Sequence, residues 1–232
     1  MNGRALLRLA GMGACLAVSL MNCAAASEPD FEPGALARMD RAIEAVIRRR
    51  EIPGAVVHVE CRGRTYAKAY GRRSLEPQKE AMTTDTIFDV ASLTKVVATT
   101  PLMMRLVEQG RVSLDAPVGS YIPEFTGHGK DVITVRQLLT HSSGLAPGIP
   151  ASSFVPKNYA QVIDWICRCE PQAEPGSSII YSDLNFHLLG EIVQRVTGER
   201  IDVLARRELW EPMGMAETFW LPDPKLLPRI AP

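Results

Sequence analysis

Ser92 stands three residues before Lys95 in Ser92-Leu93-Thr94-Lys95. On a helix that interval is nearly one turn, so the amine lies alongside the hydroxyl. A serine hydroxyl is a weak nucleophile at neutral pH; an amine kept partly unprotonated near the positive end of a helix can take its proton. Such a pair arises by chance about once in a chain of this size, so its surroundings have to carry the argument. A second constellation is Tyr181-Ser182-Asp183, in which a tyrosine whose pKa is lowered by a nearby ammonium can shuttle protons. The plainer reading makes Tyr181 a core aromatic and Ser182 or Asp183 a helix cap. His58, His128, His141 and His187 lack metal-ligand spacing and no phosphate cradle is present, so no metal and no cofactor is expected.

These residues need elements to hold them. In residues 35–50, Leu36, Met39, Ile43, Val46 and Ile47 recur at intervals of three and four, predicting an amphipathic helix that stops at Ile52-Pro53-Gly54. Residues 55–61 and 65–70, joined by Arg62-Gly63-Arg64, predict an antiparallel hairpin. An apolar helix then runs from near Ser92 to Gln109, with Gly110 as its stop; it is expected to be largely buried, with Ser92 at its head. Residues 114–133 read as loop, after which Thr134 caps a short helix through Leu139, closed by His141-Ser142-Ser143-Gly144. Three further helices are expected over residues 159–169, 184–196 and 201–209, with Pro175-Gly176 introducing the segment that carries Tyr181. Beyond them the prolines predict an irregular tail. The pattern is α+β.

With 232 residues, 46% hydrophobic and 22% charged, the chain has the make-up of a globular domain. Basic and acidic side chains both number 26 and form no basic stripe, which argues against a nucleic-acid partner. Arg4 and Arg8 followed by the apolar run of residues 9–20 read as an export signal over residues 1–26, too short to span a membrane with its flanks. Ala24-Ala25-Ala26 fits cleavage, while Leu20-Met21-Asn22-Cys23 loosely fits a lipobox, so membrane attachment is expected only if Cys23 is lipidated. The expected location is periplasmic or extracellular. There Cys61, Cys167 and Cys169 are an odd set, so at least one stays free or pairs between chains.

Three blocks together resemble the serine β-lactamase-related family of class C β-lactamases, penicillin-binding proteins and esterases: residues 88–95 ending in Ser92-Leu93-Thr94-Lys95, residues 133–145 containing His141-Ser142-Ser143-Gly144, and Pro175-Gly176 leading to Tyr181-Ser182-Asp183. The likeness extends over residues 43–215. It implies a β-lactamase/transpeptidase-like α+β fold, an antiparallel sheet flanked by helices plus a helical region, here incomplete at the C-terminus. The resemblance makes Ser92 the nucleophile, Lys95 its base partner and Tyr181 the proton shuttle, with the Ser92 N–H as one oxyanion donor. It implies an acyl-serine hydrolase acting on amide or ester bonds of a small-molecule or peptidoglycan-derived substrate: a D-alanyl peptide, an ester or a β-lactam. Two departures follow. Asp183 stands where class C enzymes carry an asparagine that reaches the substrate amide, and no Lys-Thr-Gly, His-Thr-Gly or His-Ala-Gly follows Tyr181. They leave open a fragment, or a penicillin-binding sensor that acylates without turnover.

Overall fold

Pro33 at the first turn and Arg48 in the last bound the opening helix, α1 (Pro33–Arg48), where each suits the helix dipole and the unpaired backbone groups. In this computed structural model residues 31–150 and 155–232 are described; the segment expected to be an export signal, with Cys23, lies outside them. The chain divides into two units, one ending at Thr84 and the other running from Asp85 to Pro232.

In the first unit, β1 (Gly54–Cys61) pairs antiparallel with β2 (Arg64–Ser74), in register from Gly54 opposite Gly71 to Cys61 opposite Arg64. The connection is a two-residue turn, Arg62-Gly63, with both residues at positive φ, the conformation whose twist matches a hairpin. β2 continues past the expected end at Tyr70 and pairs with a short β3 (Glu80–Ala81), giving the order β1-β2-β3. A Cβ on Gly54 would lie 2.4 Å from the Arg72 carbonyl, so only glycine permits this approach. α1 is tied to β2 through Asp40, which accepts from Tyr66 Oη at 2.6 Å, Tyr70 Oη at 2.5 Å and Lys68 Nζ at 2.6 Å.

The second unit is built around α5 (Asp183–Thr197), which touches α2 (Thr100–Glu108), α3 (Val135–Leu139), α4 (Tyr159–Arg168) and α6 (Ile201–Ala205). Its core gathers Leu102, Met103 and Leu106 of α2 with Leu184, Leu188, Leu189, Ile192 and Val193 of α5. Thr134 caps α3 as expected, within a reciprocal capping box with Gln137. Lys130, fully buried, donates from Nζ to the carbonyls of Cys167 (2.5 Å) and Cys169 (3.0 Å) at the end of α4. A cation there meets the negative end of the helix.

Three expectations change. The helix at Ser92 is a 3-10 turn (Ala91–Leu93) and a π-turn (Lys95–Thr99) feeding α2, and its head is open: Leu93 and Val96 are 59% and 60% exposed, and burial begins at Ala98. The last predicted helix closes with a π-turn, Arg206–Trp210. The tail is ordered by a 3-10 turn (Pro224–Arg229) and a parallel bridge between Ile230 and Ile87, because Arg229 O and the Ala231 N–H reach the Ile87 backbone. Cys61, Cys167 and Cys169 are all free thiols.

Candidate active site

All four residues singled out from the sequence belong to the second unit. Ser92 sits in the 3-10 turn, and the residue before it, Ala91, has φ +43°, a strained value for a residue with a Cβ. Asp89 holds this bend by accepting the Ala91 N–H at 2.7 Å. Lys95, one turn on, brings Nζ to 3.3 Å from Ser92 Oγ. The lysine side chain is 13% exposed.

Tyr181 and Asp183 arrive from a segment fastened to the His141–Pro147 loop. The Ile180 N–H donates to the His141 carbonyl and the Asp183 N–H to the Pro147 carbonyl, each at 2.8 Å. Ser182 occupies the N-cap position of α5 but makes no side-chain cap; its hydroxyl donates instead to the Ala146 carbonyl at 2.5 Å. The Ser182 N–H donates to His141 Nδ1 at 3.0 Å, which leaves the imidazole proton on Nε2. Deeper in, Ser143 Oγ donates to Asn185 Oδ1 at 2.6 Å and accepts from the Leu145 N–H. Gly144, at φ +81°, passes so close to residue 173 that a Cβ would lie 2.0 Å from the Ala173 carbonyl oxygen.

The electrostatics differ from a free amine beside a serine. Asp183, the first residue of α5, places Oδ1 2.6 Å from Lys95 Nζ. Burial pulls the Lys95 amine down, but hydrogen bonds to Asp183 and Tyr181, with their charge, outweigh it and raise the lysine above its ordinary value. The Ser92 hydroxyl and then the Lys95 ammonium hold the Tyr181 phenol below its usual range. Lys95 Nζ also lies 5.0 Å from the Tyr181 ring centroid and 5.5 Å from that of Phe186. Burial, followed by the Lys95 charge, lowers His141, whose ring packs 4.5 Å from that of Tyr181. The cleft over Ser92 and Lys95 encloses about 350 Å³ and is walled by Phe186, His187 and Trp220.

Ser92, Lys95, Tyr181 and Asp183 are thus brought together. Tyr181 is no core aromatic, being 53% exposed. Sequence reasoning missed His141, Asn185 and Phe186 as supports of the cluster. His141 carried a signal only as a member of the block at residues 133–145, and Asn185 carried none; nothing in their local pattern joins them.

The family model described as Beta-lactamase matches residues 39–231. The chain is 32% identical over 216 residues to an N-acetylmuramyl-L-alanine amidase of Bacillus subtilis (strain 168), spanning 85% of this chain and 49% of the relative. It is 33% identical over 168 residues to a putative D-alanyl-D-alanine carboxypeptidase of Escherichia coli (strain K12), spanning 67% and 39%. It therefore spans less than half the length of these curated relatives. Among solved structures, a class C beta-lactamase superposes with a TM-score of 0.74 at 28% identity, covering 84% of this chain and 53% of that one. EstCE1, a hydrolase with promiscuous acyltransferase activity, does so with 0.74 at 27%, covering 84% and 55%.

Proposed function

We propose that this chain, which belongs to the beta-lactamase family, carries the acylation half of a serine hydrolase acting on amide or ester bonds. The observation that supports this most directly is the approach of Lys95 Nζ to Ser92 Oγ at 3.3 Å, with the Tyr181 phenol drawn to the same hydroxyl. Ser92 Oγ attacks the acyl carbon and its proton passes to the oxygen of Tyr181 in its phenolate form, which the Ser92 hydroxyl and the Lys95 ammonium favour. Tyr181 then gives a proton to the leaving group as the carbon–leaving-group bond breaks, and Lys95 stays an ammonium throughout. This moves the base role expected for Lys95 to Tyr181, since a lysine held as an ammonium beside Asp183 has no lone pair to offer Ser92. Water then releases the acyl group.

The relatives' names point to cell-wall peptides, esters and β-lactams as acyl donors. An export signal over residues 1–26, as read from the sequence, would support an envelope location, where such donors occur. The test is the intact mass of the purified chain over time with a fluorophosphonate and with a penicillin, beside Ser92→Ala. An adduct on the wild type alone supports Ser92 as nucleophile. Decay of the penicillin adduct supports turnover, whereas its persistence supports a sensor. No adduct on a folded chain overturns the reading.

A further inference from the structure

We propose that Asp183 is a positioning residue, whose carboxylate holds Lys95 as an ammonium that donates to Ser92, and not a contact for the substrate amide. The proposal rests on the reading of Ser92 as the nucleophile, and it concerns how the neighbouring charge is set.

Asp183 has little freedom to do otherwise. Its backbone is tied by its own N–H to Pro147, and the preceding residue is tied by the Ser182 N–H to His141 and by its buried hydroxyl to Ala146. The carboxylate therefore starts from a stiff base at the first residue of α5. From there Oδ1 meets Lys95 Nζ at 2.6 Å, a charge-assisted distance. Lys95 is 13% exposed, so few waters compete for the ammonium.

The groups facing Lys95 divide by element. The preceding 3-10 turn supplies Ser92, the segment leading into α5 supplies Tyr181, and α5 supplies Asp183, Phe186 and His187; His141 faces it from the His141–Pro147 loop. Asp183 is the one carboxylate among these. Both histidines are held below their ordinary range, chiefly by burial, so neither opposes it with charge. An ammonium has three N–H groups, and Asp183, Ser92 and Tyr181 are its three hydrogen-bonding neighbours, while the positive charge rests near the Tyr181 and Phe186 rings. With the amine donating, the Ser92 hydrogen turns toward Tyr181. An asparagine at position 183 could reach the same place but would leave the lysine charge without its counter-ion.

The experiment compares wild type, Asp183→Asn and Asp183→Glu in the full chain by two readouts. The first is trace acetylation of the Lys95 amine at pH 9, relative to the exposed Lys225, read by peptide mass spectrometry. The nearly isosteric Asn should raise Lys95 labelling about tenfold, the effect of one pKa unit, while Glu stays near wild type. Unchanged labelling in Asp183→Asn overturns the proposal. The second is the pH profile of Ser92 phosphonylation by the fluorophosphonate, with fluoride as leaving group, whose alkaline limb should move to lower pH in Asp183→Asn with a loss of about tenfold in rate at pH 8. Equal or faster phosphonylation of Asp183→Asn overturns it too, because Lys95 would then be a base restrained by Asp183. If the wild type forms no adduct, the nucleophile reading fails, and the labelling ratio still decides the role of Asp183.

Discussion

Ser92, Lys95, Tyr181 and Asp183 form one hydrogen-bonded group, and its behaviour depends on which member carries the proton. The Ser-x-x-Lys spacing was enough to place Lys95 beside Ser92, because helix geometry is local. The ion pair to Asp183 bridges residues 88 apart in sequence, and together with Tyr181 it offsets the burial that pulls the Lys95 amine down. His141 belongs to the same scale. Its Nδ1 accepts from the Ser182 N–H, its φ is +56°, and its ring supports Tyr181. His141→Ala is expected to slow acylation by at least about tenfold through misplacement of Tyr181, with a smaller loss in His141→Asn, which tolerates the backbone conformation and offers an acceptor. Rates with the fluorophosphonate check this, and circular dichroism confirms that both variants fold.

Among elements, the helical run at residues 91–108 departs furthest from expectation. Pro101 has no N–H, so an α-helical partner for the Val97 carbonyl is missing, and the Trp210 indole N–H donates to that oxygen at 3.0 Å. Trp210→Phe keeps the packing but loses the bond, and is expected to lower stability by about 1 kcal/mol in urea denaturation. The His141–Pro147 loop is the other element the site depends on. Gly144→Ala must accommodate a positive φ and a Cβ overlapping the Ala173 carbonyl. It is expected to destabilise the chain by about 2 to 4 kcal/mol in the same measurement and to slow acylation with it. The Thr134 capping box was readable from local sequence, whereas the irregular start of α2 was not, since it depends on a tryptophan more than 100 residues away.

At the scale of the molecule each unit has its own polar anchor. In the first, two tyrosines and Lys68 hold the Asp40 carboxylate at a pKa of about 2, below the ordinary 3.8. A carboxyl with a depressed folded-state pKa contributes stability that is fully present above its unfolded value and is lost as pH falls through the folded one. The tie between α1 and β2 is therefore expected to weaken between about pH 4 and pH 2. Asp40→Asn should lose part of that pH dependence while being less stable at pH 7. The near-ultraviolet signal of the tyrosines across this range checks it. In the second unit Lys130 plays the structural part, and Lys130→Ala is expected to cost about 2 to 4 kcal/mol by opening a cavity and stranding two carbonyls, measured by urea denaturation.

By itself the sequence determined what is short-ranged: the amphipathic period of α1, the hairpin, the cap of α3, the glycine stop of α5, and the one-turn interval between Ser92 and Lys95. Three motif blocks in the right order also sufficed to identify the family. Only the tertiary structure decided the ion pairing of Lys95 with Asp183, the escape of Ser182 from its cap position, the open head of the serine helix and the ordering of the tail against Ile87. Each of those depends on a partner brought from far along the chain, and the energies of burial and ion pairing that select between protonation states exist only once that partner is in place.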